Sequence, residues 1–283
     1  MLERIALENE FNEVLELWGN PDYTLTNVEG LNPPTAVINT SESGLFDGSR
    51  YNSSKVGNRN IVLTFTVEAP AEINRIALYR YIKPKRYIKV YVKNGLRDVN
   101  ISGYVESLEV NPFSNKLMCQ VSIICHNPYF VDNAQSIVDF ASTVNLFEFP
   151  FDAPVEGLTF SEIVTNQIKT IRNMGEIECG ALFEINATGS IVEPTVINTD
   201  TLERFTLNIE LYAGDKLTIN TENRTKQVVL ERNGKKKNVI NTIDNVSTWL
   251  KLAIGINNFT YKTVYGDENL KLKIYHNNMY LGV

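Results

Sequence analysis

Glu176 and Glu178, one residue apart, have the residue types for acid–base chemistry on a glycosidic bond, where one acid protonates the leaving oxygen and the other activates water or attacks. The pair is a weak signal, because neighbouring acids on one solvent face of a strand are far commoner. Glycosidase carboxylates leave no sequence motif, so a cell-wall glycosidase remains a distant alternative. His126 and His276 are the two histidines of the chain. Neither belongs to an HExxH pattern and there is no CxxC, so a zinc site would need ligands drawn from far apart in sequence. There is no Gly-x-Ser-x-Gly elbow and no Gly-x-x-x-x-Gly-Lys phosphate loop. The residues therefore predict no catalytic group, no cofactor and no metal: a chain that is not an enzyme.

The cysteines point the same way. Cys119 and Cys125 lie six residues apart in one expected strand, about 20 Å at ~3.3 Å per residue, whereas a disulfide needs Cα atoms within about 7 Å. They share parity with Leu117, Val121 and Ile123 and read as small core residues. Cys179 has no second thiol or histidine near it in sequence.

Charge is the more informative chemistry. The net charge is −6, and neither half carries the Lys/Arg excess that binding a polyphosphate needs. Lys235-Lys236-Lys237 after Asn233-Gly234 reads as a solvated hairpin tip that discourages edge-to-edge pairing. Two longer blocks stand out. From Arg80 to Arg97 there are seven basic residues (Arg80, Lys83, Lys85, Arg86, Lys89, Lys93 and Arg97) and no acid. From Glu3 to Glu29 there are seven acids, Glu8, Glu10 and Glu13 among them, against Arg4 alone. Such blocks either lie side by side in one subunit or register one subunit against the next. The candidate subunit-interface residues are Arg80, Lys83, Lys85, Arg86, Lys89, Glu8, Glu10 and Glu13.

The elements that must position these residues are mostly strands. Hydrophobic residues make up 43% of the chain and charged ones 21%, a globular balance, and the richness in Tyr and Phe favours pleated sheet. Ile61, Leu63, Phe65 and Val67 alternate with polar neighbours. Pro70 opens a helix with Glu72 in its first turn, one apolar stripe of Ile73, Ile76, Ala77 and Tyr81, and a stop at Lys83-Pro84. Ile88, Val90 and Val92, then Asn94-Gly95, then Val99, Ile101 and Val105 describe a hairpin. Asn111-Pro112-Phe113 breaks the chain before the strand from Leu117 to Cys125. Residues 44–60 read as an irregular polar loop, either solvated or functional.

Residues 126–160 form an aromatic-rich transition with Phe147, Phe149, Pro150, Phe151 and Pro154, and a domain boundary is expected near 132. In the second half, Phe205, Leu207, Ile209 and Leu211 alternate, Gly214-Asp215 turns, and Asn233-Gly234 marks a second hairpin. Leu270, Leu272 and Ile274 close the domain. Many short strands at regular spacing predict a sandwich. No secretory signal pattern and no apolar run of membrane-spanning length is visible, so a soluble protein made in a cytoplasm is expected, with no membrane partner.

Three groups of residues occur in an order that resembles the distal tail proteins of siphophages. They are Gly57-Asn58-Arg59-Asn60, Gly103-Tyr104-Val105-Glu106, and His126-Asn127-Pro128-Tyr129-Phe130. Further on, Asn173-Met174-Gly175-Glu176, Leu211 to Thr221 with Gly214-Asp215, Ser247-Thr248-Trp249-Leu250 and Gly255-Ile256-Asn257 are similar to the family's second domain. Asn127 departs from the acid usual before that proline, losing a charge while keeping the turn. The resemblance implies a mainly β fold: an amino-terminal β domain with one helix (1–132), forming a ring, followed by a galectin-like β-sandwich (133–283).

It also implies a non-enzymatic role in the tail tip of a virion or prophage particle. The chain would form a homo-hexamer in which residues 1–130 suffice, around a channel, and the net charge of −6 per copy predicts that this channel does not hold DNA tightly. Partners would be the tail tube protein, the tape-measure protein, a tail-associated lysin or spike, and a receptor-binding protein. The alternative of another class is a carbohydrate-binding sandwich for host-surface recognition, with Trp249 as its stacking residue.

Overall fold

The computed structural model describes residues 2–42, 44, 47–111, 116–140, 142–145, 161–164 and 168–283. Pro112, Phe113, Phe147, Phe149, Pro150, Phe151 and Pro154 lie outside the described residues. The chain divides into two compact units, Met1–Ala134 with Met279–Val283, and Gln135–Asn278.

The first unit contains β1 (Leu2–Asn9), β2 (Val14–Glu16), β3 (Tyr23–Glu29), β4 (Ala36–Glu42), β5 (Ser49–Val56), β6 (Arg59–Val67), α1 (Ala71–Tyr81), β7 (Tyr87–Asn94), β8 (Asp98–Asn111), β9 (Leu117–Cys125) and β10 (Phe130–Asp132). Seven strands form one antiparallel path, β2-β1-β7-β8-β9-β6-β3. Period-two alternation puts Ile61, Leu63, Phe65, Ile88, Val90, Val92, Cys119, Val121 and Ile123 into its core.

The long β8 makes the corner. Its first half pairs with β7 and its second with β9, with a register shift between Val105 and Ser107. Gly103 sits at the change of partner, where a Cβ would come within 2.6 Å of the Ile124 carbonyl. The extra residue of the bulge, Glu106, accepts a 2.7 Å bond from the Ser122 hydroxyl. The Gly-Tyr-Val-Glu group is thus a fold corner.

The second unit contains β11 (Ser136–Asp139), β12 (Ser142–Asn145), β13 (Ser161–Val164), β14 (Lys169–Asn173), β15 (Leu182–Ala187), β16 (Ile191–Val192), β17 (Thr195–Asn198), β18 (Arg204–Thr206), β19 (Glu210–Leu211), β20 (Lys216–Asn220), β21 (Gln227–Arg232), β22 (Lys235–Asn238), β23 (Gly255–Lys262) and β24 (Leu270–His276). A sheet ordered β11-β24-β15-β20-β21-β22 and another ordered β14-β23-β17-β18 contribute its core. Phe183 of the first meets Phe259 of the second at 5.9 Å between ring centroids. Asn233 and Gly234 have φ of 52° and 74°, the left-handed pair of a type I′ turn. The three lysines that follow form the exposed edge strand β22, where charge discourages strand addition.

After β24 the chain leaves the sandwich. The last strand, β25 (Met279–Tyr280), pairs antiparallel with β10, Phe130 opposite Tyr280 and Val131 opposite Met279. Residues 279–283, assigned by sequence to the second domain, therefore belong to the first unit. The second unit is an insertion between two adjacent strands of the first.

Four local expectations change. Ile73 and Ile76 face outward, Ile73 at 69% exposure, while Asn74 and Leu78 are the buried residues of α1. Asn74 faces inward because its side chain donates to the Glu68 carbonyl and its carbonyl accepts from the Tyr23 hydroxyl. The segment 44–60 is not an irregular loop: Ser49–Val56 pairs with Ala36–Glu42 as a ribbon, and Arg59 opens β6. Leu45 and Phe46 lie outside the described residues.

Asn94-Gly95 does not make a two-residue turn. Its loop runs to Arg97, and the Asn94 carboxamide accepts from the Leu96 and Arg97 N–H groups at 2.9 and 2.8 Å. The alternation from Phe205 to Leu211 spans two strands, because the chain leaves β17 and then pairs with β16.

Candidate assembly surfaces and buried polar centres

The acidic and basic blocks meet inside one subunit, because β1 and β7 are neighbours. Glu8 lies opposite Lys89, and the Tyr91 hydroxyl donates to the Glu8 carboxylate. Burial, then that bond, raises the Tyr91 pKa. Arg86 pairs with Glu10 at 3.5 Å. Glu13 accepts a 2.7 Å bond from Asn9, and Lys83 lies 5.9 Å from the Phe11 ring centroid. Exposed pairs of this kind contribute about 0.2–1 kcal/mol each. Arg80, on α1, and Lys85, in a left-handed turn at φ 67°, have no acidic partner among the described residues. Of the eight candidate interface residues, only Arg86 and Glu10 form an ion pair among the described residues.

Arg59, quoted above only within its motif, organises the first unit. It is 4% exposed, and its guanidinium donates to the carbonyls of Pro128 (2.6 Å), Asn32 (2.7 Å), Leu281 (2.6 Å) and Gly30. It also lies 4.6 Å from the centroid of the buried Phe130 ring. Burial pushes its pKa down. Four carbonyl dipoles take the place of a carboxylate, so the Gly-Asn-Arg and Pro-Tyr-Phe groups and the carboxy terminus meet on one cation. Asn127 keeps its turn by accepting a 3.4 Å bond from the Tyr129 N–H. Arg97, from the basic block, is drawn into the same end. It donates to the Gly282 carbonyl and lies 4.4 Å from the Tyr280 ring centroid. Nothing in the sequence could show this, because the partners lie 183 or more positions away.

The motifs of the second unit are buried and hydrogen-bonded as well. Asn173 donates to the Ile177 and Leu252 carbonyls and accepts from Gly175. Asp215 binds Arg232 and the Tyr212 N–H, and the Arg232 bond lowers its pKa. Asn257 bridges the Ala253 N–H and carbonyl at 2.8 Å each. Residues placed in this way hold turns together.

Glu178 lies in a loop, paired with Lys251 at 2.5 Å. Trp249 packs against Phe205 at 5.0 Å between centroids, with the Lys226 ammonium 5.3 Å from its ring, which leaves less of it open to a sugar. All three cysteines are free and buried, and burial raises Cys119 to about 11 and Cys125 and Cys179 to about 12. Among the described residues no cluster of three or more His, Cys, Asp or Glu could hold a metal, and no helix is long and apolar enough to cross a membrane.

His276 is 2% exposed, and neither ring nitrogen has a hydrogen-bond partner in the structure. Burial lowers its pKa. The unfolded chain thus takes up this proton first, at about 6.5, so the stability of the second unit is whole above that pH and falls as pH drops through it. One proton sets the ceiling of that slope at about 1.4 kcal/mol per pH unit. His276→Phe is expected to remove it, and denaturant titrations of both proteins between pH 7.5 and 5.5 check this. Parallel pH profiles would show that His276 is not responsible.

Residues 174–280 match the family model described as siphovirus-type tail component, C-terminal domain. Among solved structures, the chain is similar to the Dit protein of phage SPP1, described as a paradigm of the hub adsorption apparatus in phages infecting Gram-positive hosts. The TM-score is 0.69 at 9% identity, covering 98% of this chain and 99% of that one. It is also similar to a chain of the phage P2 baseplate in its activated conformation with Ca, with a TM-score of 0.57 at 8% identity over 98% of each chain. A chain of the strontium-bound baseplate gives 0.54 at 10% identity, over 96% of this chain and 97% of that one. No curated protein sequence matches. Residues 174–280 therefore match the siphovirus-type tail component family model, on a chain whose fold is similar throughout to that of the SPP1 Dit protein.

Proposed function

We propose that the protein is a non-enzymatic hub subunit at the distal end of a siphovirus-type tail. Six copies form a ring through the first unit, and the second unit presents a surface to the adsorption apparatus. The observation that carries this reading is the coincidence of a tail-component match over residues 174–280 with a hub fold over 98% of the chain. Partners on this reading are the tail tube and tape-measure proteins on one side, and a lysin or spike and a receptor-binding protein on the other. The location is the virion. The net charge of −6 per copy sets a repulsive background for DNA passing through such a ring.

Mass photometry and light scattering of the full chain are expected to show a hexamer that increases with concentration. That hexamer is expected to retain no duplex DNA at physiological salt. A strict monomer at every concentration, with and without tail tube protein, would refute the hub reading. Tight, steeply salt-dependent DNA retention would refute the passive channel.

A further inference from the structure

The three lysines after the Asn233-Gly234 turn divide between the two faces of β22. Lys236 stands opposite Glu231 and pairs with it at 3.9 Å. Lys235 stands opposite Arg232 and Lys237 opposite Leu230, so these four share the other face. That face is the apolar one, with Leu230 buried on it and Val239, just beyond β22, buried as well. Blunting a sheet edge accounts for lysine as a residue type. It does not account for the cavity that two of these lysines help to close.

Arg232, Lys235 and Lys237 wall a cavity of about 580 Å³ over a floor of Ile209, Leu230 and Val239. Three cations and no acid line it. A hydrocarbon floor with a few convergent polar groups, at this volume, has the make-up of a small-molecule site.

Arg232 is already committed. It donates to Asp215 at 2.9 Å and to the Glu210 carbonyl at 3.0 Å, and lies 4.7 Å from the Tyr212 ring centroid. Its charge is matched by one carboxylate, and its side chain is a fixed wall. Lys235 and Lys237 form no ion pair among the described residues. Two residue steps along one strand set their Cα atoms about 6.6 Å apart. Their ammonium groups can therefore close on one small anion from two sides, each at about 2.7–2.9 Å. Two positive charges are best met by two negative ones. A phosphate monoester carries nearly two at neutral pH, whereas a carboxylate or a phosphodiester carries one. The floor is aliphatic, so it rewards a hydrocarbon body.

We propose that this cavity binds a small phosphate monoester with a short aliphatic body. The phosphate sits between Lys235 and Lys237, and the body lies on Ile209, Leu230 and Val239. The site belongs wholly to the second unit and does not depend on the ring reading. It is also compatible with weak DNA binding, because a long polyanion answers to the net charge and a single phosphate to the lysines beside it.

The test is isothermal titration of the full chain at pH 7.5 with n-hexyl phosphate. Saturable binding at one site per chain is expected. n-Butyl phosphate is expected to bind about tenfold more weakly, because two methylenes fewer are buried. Inorganic phosphate, hexanol and hexanoate, each lacking part of the recognition, are expected to bind more weakly than n-hexyl phosphate. Lys235→Glu or Lys237→Glu, taken singly, should weaken n-hexyl phosphate by about tenfold or more, whereas Lys236→Glu, the same change of charge on the outer face, should change it by less than about twofold. All three positions are exposed, so thermal melting of the variants is expected to match the wild type. No binding of n-hexyl phosphate at millimolar concentration would overturn the site. An equal loss in all three variants would overturn it too, as mere attraction to surface charge. Hexanol or hexanoate binding as tightly as n-hexyl phosphate would overturn the phosphate, and inorganic phosphate binding as tightly would overturn the aliphatic body.

Discussion

Arg59→Met is expected to destabilise the first unit by about 3–5 kcal/mol while leaving the second unit as it was. The guanidinium is held by four carbonyls rather than by a carboxylate. Methionine fills part of the volume but supplies no donor, so the carbonyls of Gly30, Asn32, Pro128 and Leu281 lose the buried cation they share. Bonds to a charged group are worth about 1.5–3 kcal/mol each, and breaking a buried charged centre typically costs 3–5 kcal/mol. Arg59→Lys should recover little, since an ammonium cannot present the planar fork that reaches four acceptors.

The chain carries one tryptophan in each unit, Trp18 and Trp249. Fluorescence-detected unfolding in Trp18→Phe and Trp249→Phe backgrounds therefore separates the two transitions. The first is expected to fall by more than about 10 °C and the second to stay put. A shift of the first transition equivalent to less than 1 kcal/mol would mean that Arg59 does not hold this end together.

Deleting Met279–Val283 is the second change with a large expected effect. The deletion removes β25 from β10, the Leu281 carbonyl from Arg59, the Gly282 carbonyl and Tyr280 ring from Arg97, and the Val283 N–H bond to the Leu31 carbonyl at 3.0 Å. At about 1 kcal/mol per neutral bond and more for the charged ones, the loss should again reach several kcal/mol in the first unit.

The same topology alters what a first-unit fragment needs. Residues 1–130, expected from sequence to suffice for the ring, omit a strand and an Arg59 acceptor. A variant that joins Asp132 to Met279 through a short Gly-rich turn restores both, because Val131 and Met279 are already cross-strand partners. We expect the joined variant to fold cooperatively and the 1–130 fragment to be largely unfolded, as read by far-UV circular dichroism and amide exchange. A well-folded 1–130 fragment would show that the carboxy-terminal strap is dispensable.

Local periodicity carried much of the molecule. Strands such as Arg59–Val67 and Leu117–Cys125 show their inner face in the alternation of side chains, because a strand with one buried face must repeat every two residues. The two buried cysteines followed from that parity, and the type I′ turn at Asn233-Gly234 from the need for two left-handed residues. The motifs were legible as a resemblance, and the structure supplies their physical content: Gly103 is small because the backbone of β9 crosses there, and Arg59 is cationic because four carbonyls converge on it.

The sequence by itself determined most of the element types, the strand cores, the absence of recognised catalytic motifs and the resemblance to tail hubs. All of these depend on neighbours within a few positions or on the order of short motifs. Only the tertiary structure decided which face of α1 turns inward. Four apolar residues on one stripe suggested a buried face, but Asn74, through bonds to Glu68 and Tyr23, and Leu78, through packing in the core, took it. Tertiary structure also turned part of an apparent loop into a free ribbon, because pairing between 36–42 and 49–56 is set by register, not by the polarity of either strand. It joined the charge blocks within a subunit, because β1 and β7 are far apart in sequence and side by side in the sheet. And it sent the last five residues home to the first unit. That choice rests on Arg59 and Arg97 reaching carbonyls that no local pattern could disclose.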